Sequence, residues 1–456
     1  MRLLQCLLLF VFFVPLPCRA QGEAGSAGRS KQPAARTLPL GLKQAVELAL
    51  GPEGNARIQI AEEMIRQAQA RAAQSRAALL PNVDASVGQQ SVTRNLEAVG
   101  LTFRLPIPGF AFPRLVGPFD IFDARATISQ TVFDFSSIRR FQASRAGVSQ
   151  AEAERAYAQD QVRTIVARAY VAAQRAQATV ETTRADIELS EALLRQASDL
   201  KTAGTGTGIE VTRTRVQLAN ARQAALVAEN ELRKADFQLL RAVGLDLDVA
   251  VELTERLVLQ PVKAVTAQEA LKTALESRAD WRAEQKRLQA LELIQSATRA
   301  ERLPSLGVFG DYGSIGSGIG HAIPTRTYGF LVRVPVFDGG RRDARRAESA
   351  SQFRQERAQG RDLRAQIELD VRLALDSLRS AEEQVKVAEE GLALAENELA
   401  QAQRRYSAGM TSGIEVTDAQ TRLERARENR IAALFNYNQA RIDLGMATGT
   451  ISAMIQ

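Results

Sequence analysis

Apolar positions along this chain follow two distinct periods. Val166, Ala173, Val180, Ile187 and Leu194 recur every seven residues, and Val371, Leu378, Val385, Leu392 and Leu399 repeat the spacing further on. A sustained seven-residue period marks the seam between supercoiled helices. Between Ser137 and Ala203 there is no proline and Gly147 is the single glycine; between Arg341 and Ala408 only Gly360 and Gly391 intervene. The spacing predicts two helices about 100 Å long at 1.5 Å per residue, roughly three times the apolar thickness of a bilayer. Each runs into a glycine-rich turn, Gly204 to Gly208 and Gly409 to Gly413, where glycine supplies the left-handed cap that other residues resist. A second helix follows each turn, over 209–243 and 414–447, so the pattern predicts two helical hairpins, 137–243 and 340–447.

Ahead of each hairpin the period shortens to two. Tyr328, Phe330, Val332, Val334 and Val336 alternate with Thr327, Gly329, Leu331, Arg333 and Pro335. Ala126, Ile128 and Val132 alternate with Arg125, Thr127, Ser129 and Thr131. With their partners 82–92 and 305–312, the segments 125–133 and 327–336 predict four strands per chain, of the length a tilted membrane strand requires. The connections, 94–124 with four prolines and five phenylalanines and the Gly/Ser-rich 313–324, are expected as loops at the outer rim, where insertions are tolerated. In lipid every backbone polar group needs a partner, so an open four-stranded sheet cannot span alone. Closed barrels begin at about eight strands, so strands of this kind in a membrane require several chains. Two surface hairpins capping a soluble bundle would be the non-membrane explanation of the same alternation.

The two hairpins are copies of one unit. Residues 133–244 align with 337–449 at an offset of 204 to 205: Val132-Phe133-Asp134 with Val336-Phe337-Asp338, and Gly208-Ile209-Glu210-Val211-Thr212 with Gly413-Ile414-Glu415-Val416-Thr417. Leu80-Pro81 matches Leu303-Pro304, and Asn55 matches Asp280. An ordered series at nearly constant offset indicates duplication. The expected division is a first repeat at 38–260, a second at 261–449 and a tail at 450–456, with 21–37 a flexible N-terminal segment.

Composition sharpens this picture. Of 456 residues 45% are apolar, with one Trp and six Tyr; alanine-rich sequence poor in large side chains suits long helices packed side by side. At the N-terminus Arg2, the apolar run Leu7 to Val14 and Cys18-Arg19-Ala20 read as a secretory signal cleaved after Ala20. The run is too short for a membrane span, which takes roughly 20 residues. Pro17 directly before Cys18 argues against lipidation of that cysteine. Both cysteines, Cys6 and Cys18, fall within the signal, so the mature chain offers no disulfide, thiol nucleophile or cysteine–metal site. Removing residues 1–20 takes away two arginines and no acid, and the net charge falls from +7 to +5. Arginines and glutamates are interspersed along the helices without aromatic clusters, which argues against nucleic acid. No nucleophile, base and metal set can be assembled, so an enzyme is not expected and no cofactor is implied. His321 is the only histidine and lies in the 313–324 loop; one histidine does not make a zinc site. Gly316 to Gly320 lacks the lysine and helix start of a phosphate loop.

These features together resemble the TolC family of outer-membrane efflux proteins. The matching stretches are Val334-Pro335-Val336-Phe337-Asp338-Gly339-Gly340-Arg341-Arg342 and Arg405-Tyr406-Ser407-Ala408-Gly409, continued by Val416, Asp418-Ala419, Leu423, Ala426, Tyr437, Ala440 and Leu444. The resemblance covers about residues 38–449. It implies a mostly α protein with a membrane β part: a homotrimer whose four strands per chain close a twelve-stranded barrel in outer-membrane lipid, above a twelve-helix periplasmic tunnel. Residues 245–266 and the terminal segments would form a belt around the tunnel. The implied function is a passive exit duct of a tripartite efflux or type I secretion system, working with a periplasmic adaptor (membrane fusion) protein and an inner-membrane transporter. A periplasmic adaptor or soluble coiled-coil scaffold is the alternative, and it would need neither the four strands nor two matched hairpins. Drug, metal and protein substrates all stay open, because a passive duct need not recognise its cargo.

The resemblance also implies where function sits. Glu415 and Asp418 match two acids that point into the pore at its narrowest point, where six carboxylates in a trimer would favour cations. Their positions also suit an ordinary helix start. Tyr406 and Glu210 match a tyrosine–acid pair that holds the tip shut. The gating arginine of some relatives corresponds to Thr411, so that link is absent. The turns with Gly204, Gly208, Gly409 and Gly413 match where adaptor hairpins dock.

Overall fold

The computed structural model describes residues 37–51, 54–98, 100 and 113–455. The signal segment and its two cysteines lie outside the described residues. Strand β1 (Thr37–Leu40) and helices α1 (Leu42–Leu50) and α2 (Ala56–Ala77) lead into β2 (Asn82–Asn95), β3 (Leu115–Phe133), α3 (Phe135–Thr202) and α4 (Gly208–Val243). After β4 (Ala250–Leu253) and α5 (Ala267–Ser277), the order recurs: α6 (Ala279–Ala300), β5 (Ser305–Gly316), β6 (Ile323–Arg333), α7 (Arg341–Ser407) and α8 (Gly413–Thr448), closed by α9 (Ile451–Ile455). The unit helix–strand–strand–long helix–helix therefore occurs twice.

The long helices α3 and α7 have 68 and 67 residues, about 100 Å each. Each changes partners along its length. Near the sheet α3 packs on α2 and α6, and α7 on α6; further away α3 packs on α4 and α8, and α7 on α8. On α7 four of the five expected heptad positions, Val371, Leu378, Val385 and Leu399, are buried and Leu392 is half-buried. On α3 the expected seam drifts. Val166, Ala173 and Val180 are buried, but Asp186, Ser190, Leu193 and Ala197 then take over from Ile187 and Leu194, which are half-buried. A straight helix slips about 20° per heptad against a 3.5-residue repeat, and the new partners α4 and α8 meet the slipped face.

A second small sheet, with α1, α5 and α9, packs against the middle of the long helices. β1 pairs in parallel with β4, Leu40 opposite Leu253. Leu40, Val46 and Ile58 pack with Val162, Tyr170, Leu239 and Val243, and the Tyr170 hydroxyl donates to the Leu40 carbonyl at 3.1 Å. The second repeat has its counterpart in Ile367, Val371, Leu434 and Tyr437, packed with α5. Tyr437 donates to the Gln260 carbonyl at 2.9 Å. This middle layer extends past the expected 245–266 to include α5.

The main sheet has the order β2-β3-β5-β6, antiparallel throughout. Its strands differ from the expected spans, beginning with β2, which runs to Asn95 instead of 92. β3 begins at Leu115, so Pro118, Phe119 and Phe122 belong to a strand rather than to the 94–124 loop. β5 and β6 extend to Gly316 and from Ile323, leaving a short link that contains His321 in a 3₁₀ turn. β6 stops at Arg333 instead of 336, because Pro335 has no N–H to donate to a ladder. A bulge between Thr131 and Phe133 also places Phe133, not Val132, opposite Leu306.

Candidate functional site

Two ends of the molecule carry the chemistry: the four-stranded sheet and, about 100 Å away along the helices, the paired hairpin tips. Register assigns the faces of the sheet, since residues directly opposite in antiparallel strands share a face. Val83, Ile128 and Tyr328 fall on one face with Val87, Ala126, Val308, Phe330 and Val332. That face is mostly apolar, with Arg326 and Gln130 also on it, and uncovered, with Val87 75% and Tyr328 83% exposed. The other face carries Asp84, Asp123, Arg125, Thr127 and Asp311. Arg125 holds Asp123 at 2.6 Å and reaches Asp311 across the strands at 3.5 Å. Gly313, opposite Arg125, leaves room for that side chain; a Cβ there would fall 2.4 Å from the Arg125 Cβ. An apolar face this large is stable against lipid, and a charged face this concentrated is stable against water.

At the tips both turns reverse through a left-handed glycine, Gly204 at φ +79° and Gly409 at φ +71°. Orphan carbonyls at the helix ends are satisfied by the turn itself. Gly206 N–H donates to the Leu200 carbonyl at 2.9 Å, and Met410 N–H to the Arg405 carbonyl at 2.9 Å. Gly208 and Gly413 then open α4 and α8.

The duplicated glutamates behave differently. Glu210 closes a capping box with Thr207, accepting from the Thr207 N–H at 3.2 Å. Its other oxygen accepts from the Gly413 N–H at 3.3 Å, tying the first hairpin to the second. Glu415, the matching residue, does not cap its helix. It pairs with Arg405 at 2.7 Å and accepts the Thr411 hydroxyl, so it is locked within its own hairpin. Arg405 stands in a stretch that carries the family resemblance, but its pairing is not legible there, since its partner lies ten positions away across the turn. Asp418 is exposed one helical turn on, without a hydrogen bond or ion pair among the described residues.

Tyr406 is buried against Leu193, Leu399 and Val416. It lines one small cavity with Glu210, Arg213 and Thr214, about 20 Å³ in volume, room for about one water. No direct hydrogen bond joins Tyr406 to Glu210. Burial raises the Tyr406 phenol above its ordinary pKa, and the nearby Glu210 carboxylate adds to the effect. Deeper in the wall a polar layer links α3, α4 and α8. Gln420 donates to Ser190 at 2.8 Å, Gln217 and Gln420 both donate to Glu424 at 3.1 Å, and Arg427 pairs with Asp186 at 2.6 Å. Burial raises the pKa of Asp186 against the pull of Arg427, and it raises that of Glu424, with Asp186 adding to the rise. The sequence signal for this layer was the polar residue at 186, beside the expected apolar position 187.

The sequence matches the outer membrane efflux protein family over residues 52–245 and 270–450. The chain belongs to that family. Solved structures share its fold. The CmeC outer membrane channel of Campylobacter jejuni superposes with a TM-score of 0.75 at 16% identity, covering 90% of this chain and 85% of that one. VceC from Vibrio cholerae gives 0.74 at 18% identity over 90% and 96%, and the Neisseria gonorrhoeae MtrE channel gives 0.73 at 16% over 90% and 88%. No curated protein matches the sequence. As an outer membrane efflux protein, the chain places its sheet in the outer membrane and extends its helices into the periplasm. Among the described residues no helix is long and apolar enough to cross a membrane, and no group of three or more His, Cys, Asp or Glu could hold a metal.

Proposed function

We propose that the chain is the exit duct of a tripartite efflux or type I secretion assembly, conducting substrates passively from periplasm to exterior. The observation that carries this reading is the open sheet. β2 and β6 are its edges, one face is apolar and the other charged, and an open edge cannot persist in lipid. Three copies joined β6 to β2 would give twelve strands, a size at which barrels close, with the Arg125–Asp311 face toward water. The helices would continue the duct as a tunnel whose far end is the ring of hairpin tips.

In this reading the tip is the gate and the selectivity site. Glu210 holds the two hairpins of a chain together through Gly413, and buried Tyr406 braces the same junction. Asp418 supplies the free carboxylate of the pore ring. Glu415 contributes less charge, because Arg405 neutralises it. The turns at Gly204–Gly208 and Gly409–Gly413 are the docking points for an adaptor protein, which couples the duct to an inner-membrane transporter. Two experiments test the proposal. Cysteines placed on β2 and β6 should crosslink between chains into trimers, and purified protein in a planar bilayer should form a cation-preferring pore. Crosslinked trimers without conductance would support the assembly and overturn the duct.

A further inference from the structure

The net charge of the chain is +7, and one level carries more positive charge than that whole excess. Four segments run through the junction between sheet and long helices: 71–82, 133–145, 299–305 and 333–346. They hold two, three, two and five arginines, no lysine, and only four acids. This collar alone therefore carries a formal charge of +8, and the remainder of the chain is close to neutral. The hairpin tips show no such excess: 199–215 and 404–418 contain five bases against four acids.

The four acids of the collar are already engaged. Asp134 caps α3 through the Ser136 N–H at 3.0 Å. Asp338 takes Arg342 at 2.7 Å, Glu301 takes Arg140 and Arg345, and Asp343 takes Arg302. Arg76, Arg145, Arg299 and Arg346 are exposed, with no acid at ion-pairing distance among the described residues. Arg76 and Arg299 precede their strands by six residues, and Arg346 is five residues into α7. Arg76 and Arg299 thus stand in the last turn of the helix that leads into a strand, and at 1.5 Å per residue Arg346 lies about 8 Å into α7. The apolar surface reaches the same level: past the end of β6, Val336 is 92% and Phe337 87% exposed. The uncompensated cations thus begin where the apolar band ends, at the depth of the phospholipid headgroups. Arginine also matches a phosphate better than lysine does, because its planar fork donates two parallel hydrogen bonds.

We propose that this arginine collar binds the anionic headgroups of the periplasmic leaflet of the outer membrane and so fixes the height of the duct in the bilayer. Each unpaired arginine near an anionic surface should strengthen lipid association roughly fivefold, an effect that salt screens. The test uses the detergent-purified full chain, titrated with phosphatidylglycerol or phosphatidylcholine, with retained lipid counted by native mass spectrometry. The wild type should retain phosphatidylglycerol at least tenfold better, less so as salt rises. The triple variant Arg76→Gln, Arg299→Gln, Arg346→Gln should lose that preference, and the matching triple lysine variant should keep most of it. Circular dichroism melting and single-channel conductance are recorded on every variant, and both should stay at wild-type values. Equal retention of the two lipids by the wild type would overturn the proposal. So would a glutamine variant that keeps its lipid preference but shifts its ion selectivity, since that would place the arginines in the lumen. Loss of conductance in the wild type itself would strike at the duct reading instead and leave lipid retention to be judged separately.

Discussion

The two hairpin tips come from one duplicated stretch, Gly-Ile-Glu-Val-Thr, and they use the same glutamate in opposite ways. In the first tip Glu210 caps its helix and reaches 3.3 Å to the Gly413 N–H of the second hairpin. In the second, Glu415 turns back to Arg405 and Thr411 and makes no link to the first hairpin. The first copy joins hairpins; the second closes on itself. Position 418 differs as well, with a free Asp where the first copy has Arg213 beside the tip cavity. Duplication supplied two matching turns, and divergence of a few side chains leaves one glutamate linking the hairpins and the other paired within its own.

The largest effect should come from the feature both tips share. Gly204→Val and Gly409→Val each force a β-branched residue to φ near +70° to +80°, a strain of about 1–2 kcal/mol or more per site, and fill the turn surface. Export measured in cells should fall at least tenfold for each variant while outer-membrane protein levels hold. Normal export from either would remove that turn from the docking surface.

The next two substitutions separate the copies. A hydrogen bond to a charged acceptor is worth about 1.5–3 kcal/mol, so Glu210→Ala should raise open probability in planar bilayers by about tenfold or more. Glu415→Ala should leave it nearly unchanged. Equal effects would mean that the latch is not confined to the first copy. Selectivity should divide the other way. Asp418→Asn should cut the cation-to-anion permeability ratio severalfold, Glu415→Gln should cut it less, and Arg405→Gln should increase it by releasing the Glu415 charge. Reversal potentials across a salt gradient read all three.

The smallest effect concerns the polar layer that both hairpins share. Glu424 has a native pKa raised above the ordinary 4.5 by burial, with Asp186 adding to it. A raised carboxyl pKa favours the fold in its protonated form. The contribution is complete below about pH 4.5 and fades as pH rises through the native value. Glu424→Gln should therefore increase the melting temperature slightly at pH 7 and leave it unchanged at pH 4. A gain of equal size at both pH values would show that charge is not the cause.

The parts of the molecule that depend on period and turn chemistry were readable from the sequence. The seven-residue repeats, the alternation in four segments and the glycines at the turns each report one local property of the backbone. What escaped the reading depends on accumulated geometry or on partners far along the chain. Asp186 replaced Ile187 in the seam because a small angular drift adds up over several heptads. Phe133 replaced Val132 because a bulge shifts register by one residue, and a phenylalanine-rich stretch read as loop continued β3 down to Leu115. Arg405 stood in a matching stretch without a role, because its role exists only once the turn brings it opposite Glu415. The acids themselves were visible, but whether each one is free or paired was not.

The central claim is that the first tip latches a conduit that the second tip charges. Single-channel recording of wild type and Glu210→Ala, at one voltage and salt gradient, tests it most directly. The account predicts a mostly closed, cation-preferring pore in the wild type and a mostly open pore of the same ion preference in the variant. A wild type that forms no pore, or a variant whose gating matches it, would contradict the account.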